Sequence, residues 1–211
     1  MKKLLVLGLI FLMMGAASYG LLTFFLIDNF EDQSFGKWFQ FDNVELSLYK
    51  IPESDKKDLV LESCGEYALQ VRGRASDWYV GGLGTDFNLD ASNYSRLQID
   101  VYGSELGGKI KIELIEDDNR NSLIEQDSSK NWALTADDKW IVEIPVLREG
   151  FTRYSIPFSA FLDGNPGVGD SVFNPDQEGG SGGLLRIQLI FVAAEQKGEV
   201  DAKIDNLIFT Y

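Results

Sequence analysis

The chain has 211 residues, 45% hydrophobic and 25% charged, which suits one packed domain with a short terminal addition and argues against wholesale disorder. A net charge of −14 with no basic stripe excludes nucleic acid as a partner, and it favours neutral or cationic partners or simply a soluble surface. With no histidine, Ser-His-Asp and Cys-His catalysis and the commonest zinc and copper sites are removed, and the single cysteine, Cys64, rules out an intramolecular disulfide.

The first twenty residues, MKKLLVLGLIFLMMGAASYG, run from two lysines through an apolar stretch, Leu4 to Met14, into small residues. This is the three-part pattern of a secretory signal peptide, with cleavage after Ala17 or Gly20. Residues 1–20 are then the export segment and residues 21–211 the domain. Because LLTFFLI follows at once, residues 4–27 also read as a membrane-spanning helix, an uncleaved anchor. Either reading places the domain outside the cytoplasm: periplasmic, extracellular or held at the cell envelope. Membrane contact is expected only if the segment stays attached. The segment holds no cysteine, which excludes a lipoprotein anchor.

Beyond it, alternation at a period of two dominates and helical periodicity is nearly absent. FFLIDNFE reads as a first strand, and EDQSFGKWFQF and VELSLYK as further strand material. YALQVRG (67–73) sets Tyr67, Leu69 and Val71 against Ala68, Gln70 and Arg72. DWYVGGLG (77–84) puts Trp78 and Tyr79 before a glycine cluster. Adjacent residues of a strand face opposite ways, so one of the pair is expected in the core and the other exposed as a platform for a flat ligand. Trp78 shares the parity of Gln70 and Arg72 unless the intervening turn breaks the register.

RLQIDVYG (96–103) sets Leu97, Ile99 and Val101 against Gln98, Asp100 and Tyr102. KIKIELIED (109–117) sets Ile110, Ile112 and Leu114 against Lys109, Lys111 and Glu113. KWIVEIPV (139–146) and FTRYSIPF (151–158) are two more strands, with a short helical turn within 156–161. LRIQLIFVA (185–193) sets Ile187, Leu189 and Phe191 against Arg186, Gln188 and Ile190, and AKIDNLIFTY (202–211) closes the chain. Residues 162–183 read as one long glycine-rich loop. Many short strands at regular spacing, each with one polar face, predict an all-β fold: an antiparallel β-sandwich, of jelly-roll type.

The polar positions Gln70, Arg72, Asp100, Tyr102, Lys111, Glu113, Arg186 and Gln188 pave one sheet face if their strands are neighbours. Mixed hydrogen-bonding groups with aromatics suit a poly-hydroxylated ligand. The same residues equally suit a solvated face of cross-strand ion pairs. Trp38, Trp132 and Trp140 fall in strand-like segments, and Trp140 leads a core alternation, which makes it structural. A glycosidase needs two carboxylates about 5–10 Å apart. The obvious pair, Glu113 and Glu116, is three residues apart on a strand and so on opposite faces. The chain is expected not to be an enzyme.

Several motifs follow one another in a telling order. IDNFED (27–32) is followed by Trp38, then by GEYALQV (65–71) and by WYVGGLGTDFNLDASNYSRLQIDVYG with its glycine and Asp-x-Ser-x-Tyr turns. KWIVEIPVLREGFTRYSIPFSAF and KIDNLIF complete the set. This order resembles the galactose-binding-like jelly-roll carbohydrate-binding modules, closest in pattern to family 11, and the related domain of complex I intermediate-associated protein 30. The resemblance implies a non-catalytic module that binds β-glucan-like polysaccharide in a cleft across a sheet face. The candidate ligand-binding set is Trp78, Tyr79, Arg72, Asp100, Tyr102, Lys111, Glu113, Arg186 and Gln188.

The resemblance also implies a structural calcium near the paired terminal strands, at Glu31 and Asp205, with Asp28 a weaker addition; carboxylates are the hard ligands calcium needs. Family 11 modules sit beside a glycosidase domain that this sequence does not show. Separate glycoside hydrolases or envelope proteins are therefore the expected partners. Two other roles stay open: an envelope structural or assembly protein using the same fold to bind a protein, and a small glycoside hydrolase.

Overall fold

A computed structural model describes residues 24–56, 65–147 and 150–211; residues 1–20, which the sequence reads as an export segment, and Cys64 lie outside them. In chain order the strands are β1 (Phe25–Asp28), β2 (Phe39–Asp42), β3 (Val44–Lys50), β4 (Tyr67–Arg74), β5 (Tyr79–Leu89), β6 (Arg96–Gly103), β7 (Lys109–Glu116), β8 (Gln126–Asp127) and β9 (Ala133–Leu134). They continue as β10 (Asp138–Pro145), β11 (Gly150–Pro157), β12 (Leu162–Asp163), β13 (Gln177–Glu178), β14 (Ser181–Gly182), β15 (Leu184–Val192) and β16 (Glu199–Thr210). Among the described residues no helix is long and apolar enough to cross a membrane.

The strands form a sandwich of two antiparallel sheets. One runs β11-β6-β16-β4-β3, with β1 also paired to β16; the other runs β12-β10-β7-β15-β5-β2. The alternation dictates the packing. Leu97, Ile99 and Val101 of β6, Ile110, Ile112 and Leu114 of β7, and Ile187, Leu189 and Phe191 of β15 are all buried in one core between the sheets. Each such side chain contributes roughly 1.5–3 kcal/mol by leaving water. In β16 the parity changes: Ile204 and then Leu207 and Phe209 face the core, because the ladder shifts register between Asp205 and Ile208, with Asn206 at φ 47°. Such an extra residue re-aims the side chains beside it.

The segment 162–183 is more ordered than a single loop. It contains β12 and the small β13–β14 hairpin, and two asparagines tie it down. Asn165 Oδ1 accepts from the Lys139 backbone at 2.6 Å, and the Asn174 backbone donates to Glu116 Oε1 at 2.6 Å. Trp132 is not in a strand. It is exposed in the turn before β9, where both it and Asn131 have positive φ. Trp140 is structural: its Nε1 donates to Glu116 Oε2 at 2.7 Å, and Phe173 packs edge-on against its ring. Burial pushes the Glu116 carboxyl up to about 8 even though Asn174 and Trp140 donate to it. Trp140→Phe leaves that buried oxygen without its donor and is expected to cost about 1–3 kcal/mol in urea unfolding. An unchanged midpoint would show that the bond contributes nothing.

Candidate functional site

The polar strand positions do not share a face. Gln70, Arg72, Asp100 and Tyr102 lie on β4 and β6, which flank β16 in the first sheet. Lys111, Glu113, Arg186 and Gln188 lie on β7 and β15, which pair with each other in the second. The two groups therefore line opposite outer faces of the sandwich.

On the first face these groups satisfy one another. Arg153 of β11 grips the fully buried Asp100 through two bonds of 2.6 Å, and Asn206 Nδ2 adds a third at 2.9 Å. Gln70 and Arg72 both donate to Asp201, at 2.8 and 3.3 Å. The Lys203 ammonium lies 4.9 Å from the Tyr102 ring centroid and 5.3 Å from that of Tyr49, and Phe151 packs edge-on against Tyr102. A groove of about 720 Å³ at the end of this sheet is lined by Arg72, Arg74, Glu199 and Asp201, which pair across it. This is the cross-strand ion-pair face that the sequence allowed as an alternative.

The second face is built differently. Phe39 and Phe41 of β2 stand opposite Gly84 and Gly82 of β5. A Cβ at either glycine would come within 2.5 Å of the facing ring's Cζ, so both rings lie across a strand stripped of side chains. The two ring centroids are 6.3 Å apart. Beside them the Arg186 guanidinium sits 4.8 Å from the Phe39 centroid and is held to Asp86 by contacts of 2.5 and 3.0 Å. Gln188 follows on β15, next to Glu113 in the ladder. Glu113 is buried between two lysines, Lys111 at 2.8 Å and Lys139 at 3.7 Å. Half-buried Ile141 and Ile190 carry the apolar surface onward.

Phe39, Phe41, Asp86 and Lys139 are the members that sequence reasoning missed. A signal existed: the Phe-x-Phe of 39–41 answers the Gly-Gly-x-Gly of 81–84, but only pairing knowledge connects them.

Trp78 and Tyr79 also differ from expectation, since neither is in the core. They are 49% and 38% exposed, and the core position is Val80. Trp78 precedes β5, and its carbonyl accepts from the Ala193 backbone. The β5–β15 ladder shifts register between Phe191 and Val192, so strict alternation does not hold there. Tyr79 pairs with Val192 and its hydroxyl donates to Asp42. Burial and then Asp42 push the phenol well above its usual range.

The positions matching the calcium motif divide as well. Asp28 has both oxygens engaged: Oδ1 accepts from the Phe30 backbone at 2.9 Å, and Oδ2 from Trp38 Nε1 at 2.7 Å with Lys37 at 3.2 Å. The Lys37 ammonium already supplies its counter-charge, so Asp28 does not fit a metal. Glu31, beyond β1, accepts from the Glu66 and Tyr67 backbones at 3.1 and 3.0 Å. Asp205 is buried at the β16 irregularity, and its carboxyl is pushed up to about 8, chiefly by burial and also by the negative charges of Asp100 and Glu31. Converging negative charge at Glu31 and Asp205 fits a hard cation.

This two-sheet sandwich is similar in fold to solved family 11 carbohydrate-binding modules. The solved structures similar to it make this concrete. A family 11 module from Clostridium thermocellum, solved in complex with a β-1,3-1,4-mixed-linked tetrasaccharide, matches at a TM-score of 0.55 and 13% identity, covering 89% of this chain and 95% of its own. The family 11 module of the cellulosomal cellulase Lic26A-Cel5E of Clostridium thermocellum matches at 0.52 and 13%, covering 90% and 95%. An exo-β-agarase structure matches at 0.54 and 13%, over 88% of this chain and 25% of its own. At these identities the likeness is one of fold. No family model and no curated protein matches the chain in sequence.

Proposed function

We propose that the chain is a non-catalytic module that binds a β-glucan-like polysaccharide on the outer face of the β10-β7-β15-β5-β2 sheet. The observation that carries this reading is the Phe39–Phe41 surface laid over Gly84 and Gly82, beside Arg186, Gln188 and Glu113. Sugars present apolar C–H faces and rims of hydroxyls. Aromatic rings cover the first, while guanidinium, amide and carboxylate groups bind the second. Such a face is open and wet, so each hydrogen bond returns little net energy. An affinity on the order of micromolar or weaker is expected.

The choice of β-glucan is supported by the fold shared with the module solved with a mixed-linkage tetrasaccharide. The absence of catalysis is supported by the carboxylates: Glu113 faces outward, whereas Glu116 is buried beneath Trp140. The lysine-led apolar N-terminus supports export to the periplasm, cell envelope or medium. Glu31 and Asp205 would hold a structural calcium that joins the segment after β1 to β16.

Titrating the purified protein with mixed-linkage β-glucan, xyloglucan, xylan, α-glucan and peptidoglycan fragments tests the reading. Saturable binding to a β-glucan is the expected result. Binding only to another polymer would correct the substrate class. Binding to none would overturn the reading and favour an envelope assembly role on a protein partner.

A further inference from the structure

Where β7 ends and β10 begins, carboxylates gather with little to balance them. Asp138 opens β10 and stands opposite Glu116 in the ladder; Asp118 lies two residues past Glu116; Asp170 comes from the segment that follows β12. One oxygen from each of Asp118, Asp138 and Asp170 lies within 4.8 Å of the others. Asp138 is 0% exposed, yet neither of its side-chain oxygens has a hydrogen-bond partner, and the buried Oδ1 of Asp118 also lacks one. The remaining buried oxygens without partners among the described residues, Asp137 Oδ1 and Glu125 Oε2, belong to the same edge.

Nearby charge makes matters worse. Burial first, and then Asp138 and Asp170, push the Asp118 carboxyl up to about 7. Burial, Asp163 and Asp170 raise that of Asp138; the Ser171 backbone N–H, which falls outside hydrogen-bonding geometry, opposes them only in part. Burying carboxylates without a counter-charge is strongly unfavourable. The adjacent Asp117 shows how this chain otherwise handles a buried carboxylate: it accepts from the Asn121, Ser122 and Gly182 backbones.

The chain also closes over the group. The Asp170 backbone donates to Asp118 Oδ2 at 3.3 Å, and Gly169, at φ 70°, sits so close that any Cβ there would strike both Asp118 and Asp138. We propose that Asp118, Asp138 and Asp170 bind a calcium ion, which fastens the segment after β12 to the end of the β10–β7 pair. An all-oxygen set from three separate segments suits calcium. Magnesium would keep more of its water and use fewer carboxylates, and softer metals would want thiolate or imidazole. Glu31 and Asp205 belong to the other sheet, just after β1 and on β16.

Calorimetric titration of the chelator-treated protein with calcium chloride tests this, with thermal unfolding in parallel. Calcium is expected to bind and to raise the melting temperature by several degrees. Asp170→Asn, an exposed change that leaves the core untouched, should bind one equivalent at least about tenfold more weakly. Asp138→Asn should lose that equivalent, and Glu31→Gln should keep it. The proposal is overturned if Asp170→Asn and Asp138→Asn both retain the parent's stoichiometry and affinity, or if the parent binds no calcium at millimolar concentration.

Discussion

Replacing Phe39 and Phe41 together with alanine is expected to weaken polysaccharide binding by about a hundredfold, roughly tenfold per ring. Both rings lie over glycines, where no Cβ competes for the space, and Phe39 keeps 38% of its surface open while carrying Arg186 beside it. Alanine would leave the pairing of β2 with Gly84 and Gly82 intact but remove the apolar surface on which a sugar ring can rest. Arg186→Ala is expected to weaken binding too, because it removes a donor and frees Asp86 from its pair. Arg72→Ala provides the control. Its partner, Asp201, lies on the opposite face, and binding should not change. Equal affinity for the parent and the double phenylalanine variant, with the fold intact by circular dichroism, would place the glycan elsewhere.

Arg153→Ala is expected to destabilise the protein by about 3–5 kcal/mol in urea unfolding, a large share of the roughly 5–15 kcal/mol that holds a domain together. Arg153 makes both strong contacts to Asp100, which is fully buried and lies close enough to raise the pKa of the buried Asp205. Removing the guanidinium leaves a carboxylate in the sheet with Asn206 as its remaining donor and a second buried acid beside it. A double variant, Asp100→Leu with Arg153→Met, removes both charges and should recover most of the loss, since a buried pair is costly to break and much cheaper to replace whole. A loss below about 1 kcal/mol for Arg153→Ala would show that the pair adds nothing net. Polysaccharide binding should persist in whatever fraction stays folded, because the pair lies on the other sheet.

The strands were readable because alternation records burial directly. RLQIDVYG and VELSLYK coincide with β6 and β3, and the inward residues of β7 and β15 are those that alternation selects. Turn composition marked the breaks between them. The site was far less readable. Gln70 and Arg72 look like Lys111 and Glu113 in sequence, since each is a polar residue between apolar ones. A strand's pattern says which of its faces is wet but not which sheet it joins. Irregularities were also hidden. The register shift in β5 left Trp78 and Tyr79 both at the surface, and the one in β16 falls at Asn206, which reads in sequence as an ordinary strand position.

The sequence by itself determined an antiparallel β-sandwich, because a period of two can bury one face of each strand only by packing sheet on sheet. It also removed histidine chemistry and, through the three-residue spacing of Glu113 and Glu116, the simplest glycosidase pair. Only the tertiary structure decided which polar residues meet. Pairing β2 with β5 sets two phenylalanines over two glycines, and pairing β10 with β7 brings Asp138 beside Asp118. These contacts join residues 20 to 50 positions apart. They depend on ladder order and register, which are properties of the assembled sheets and leave no periodic trace in any one strand.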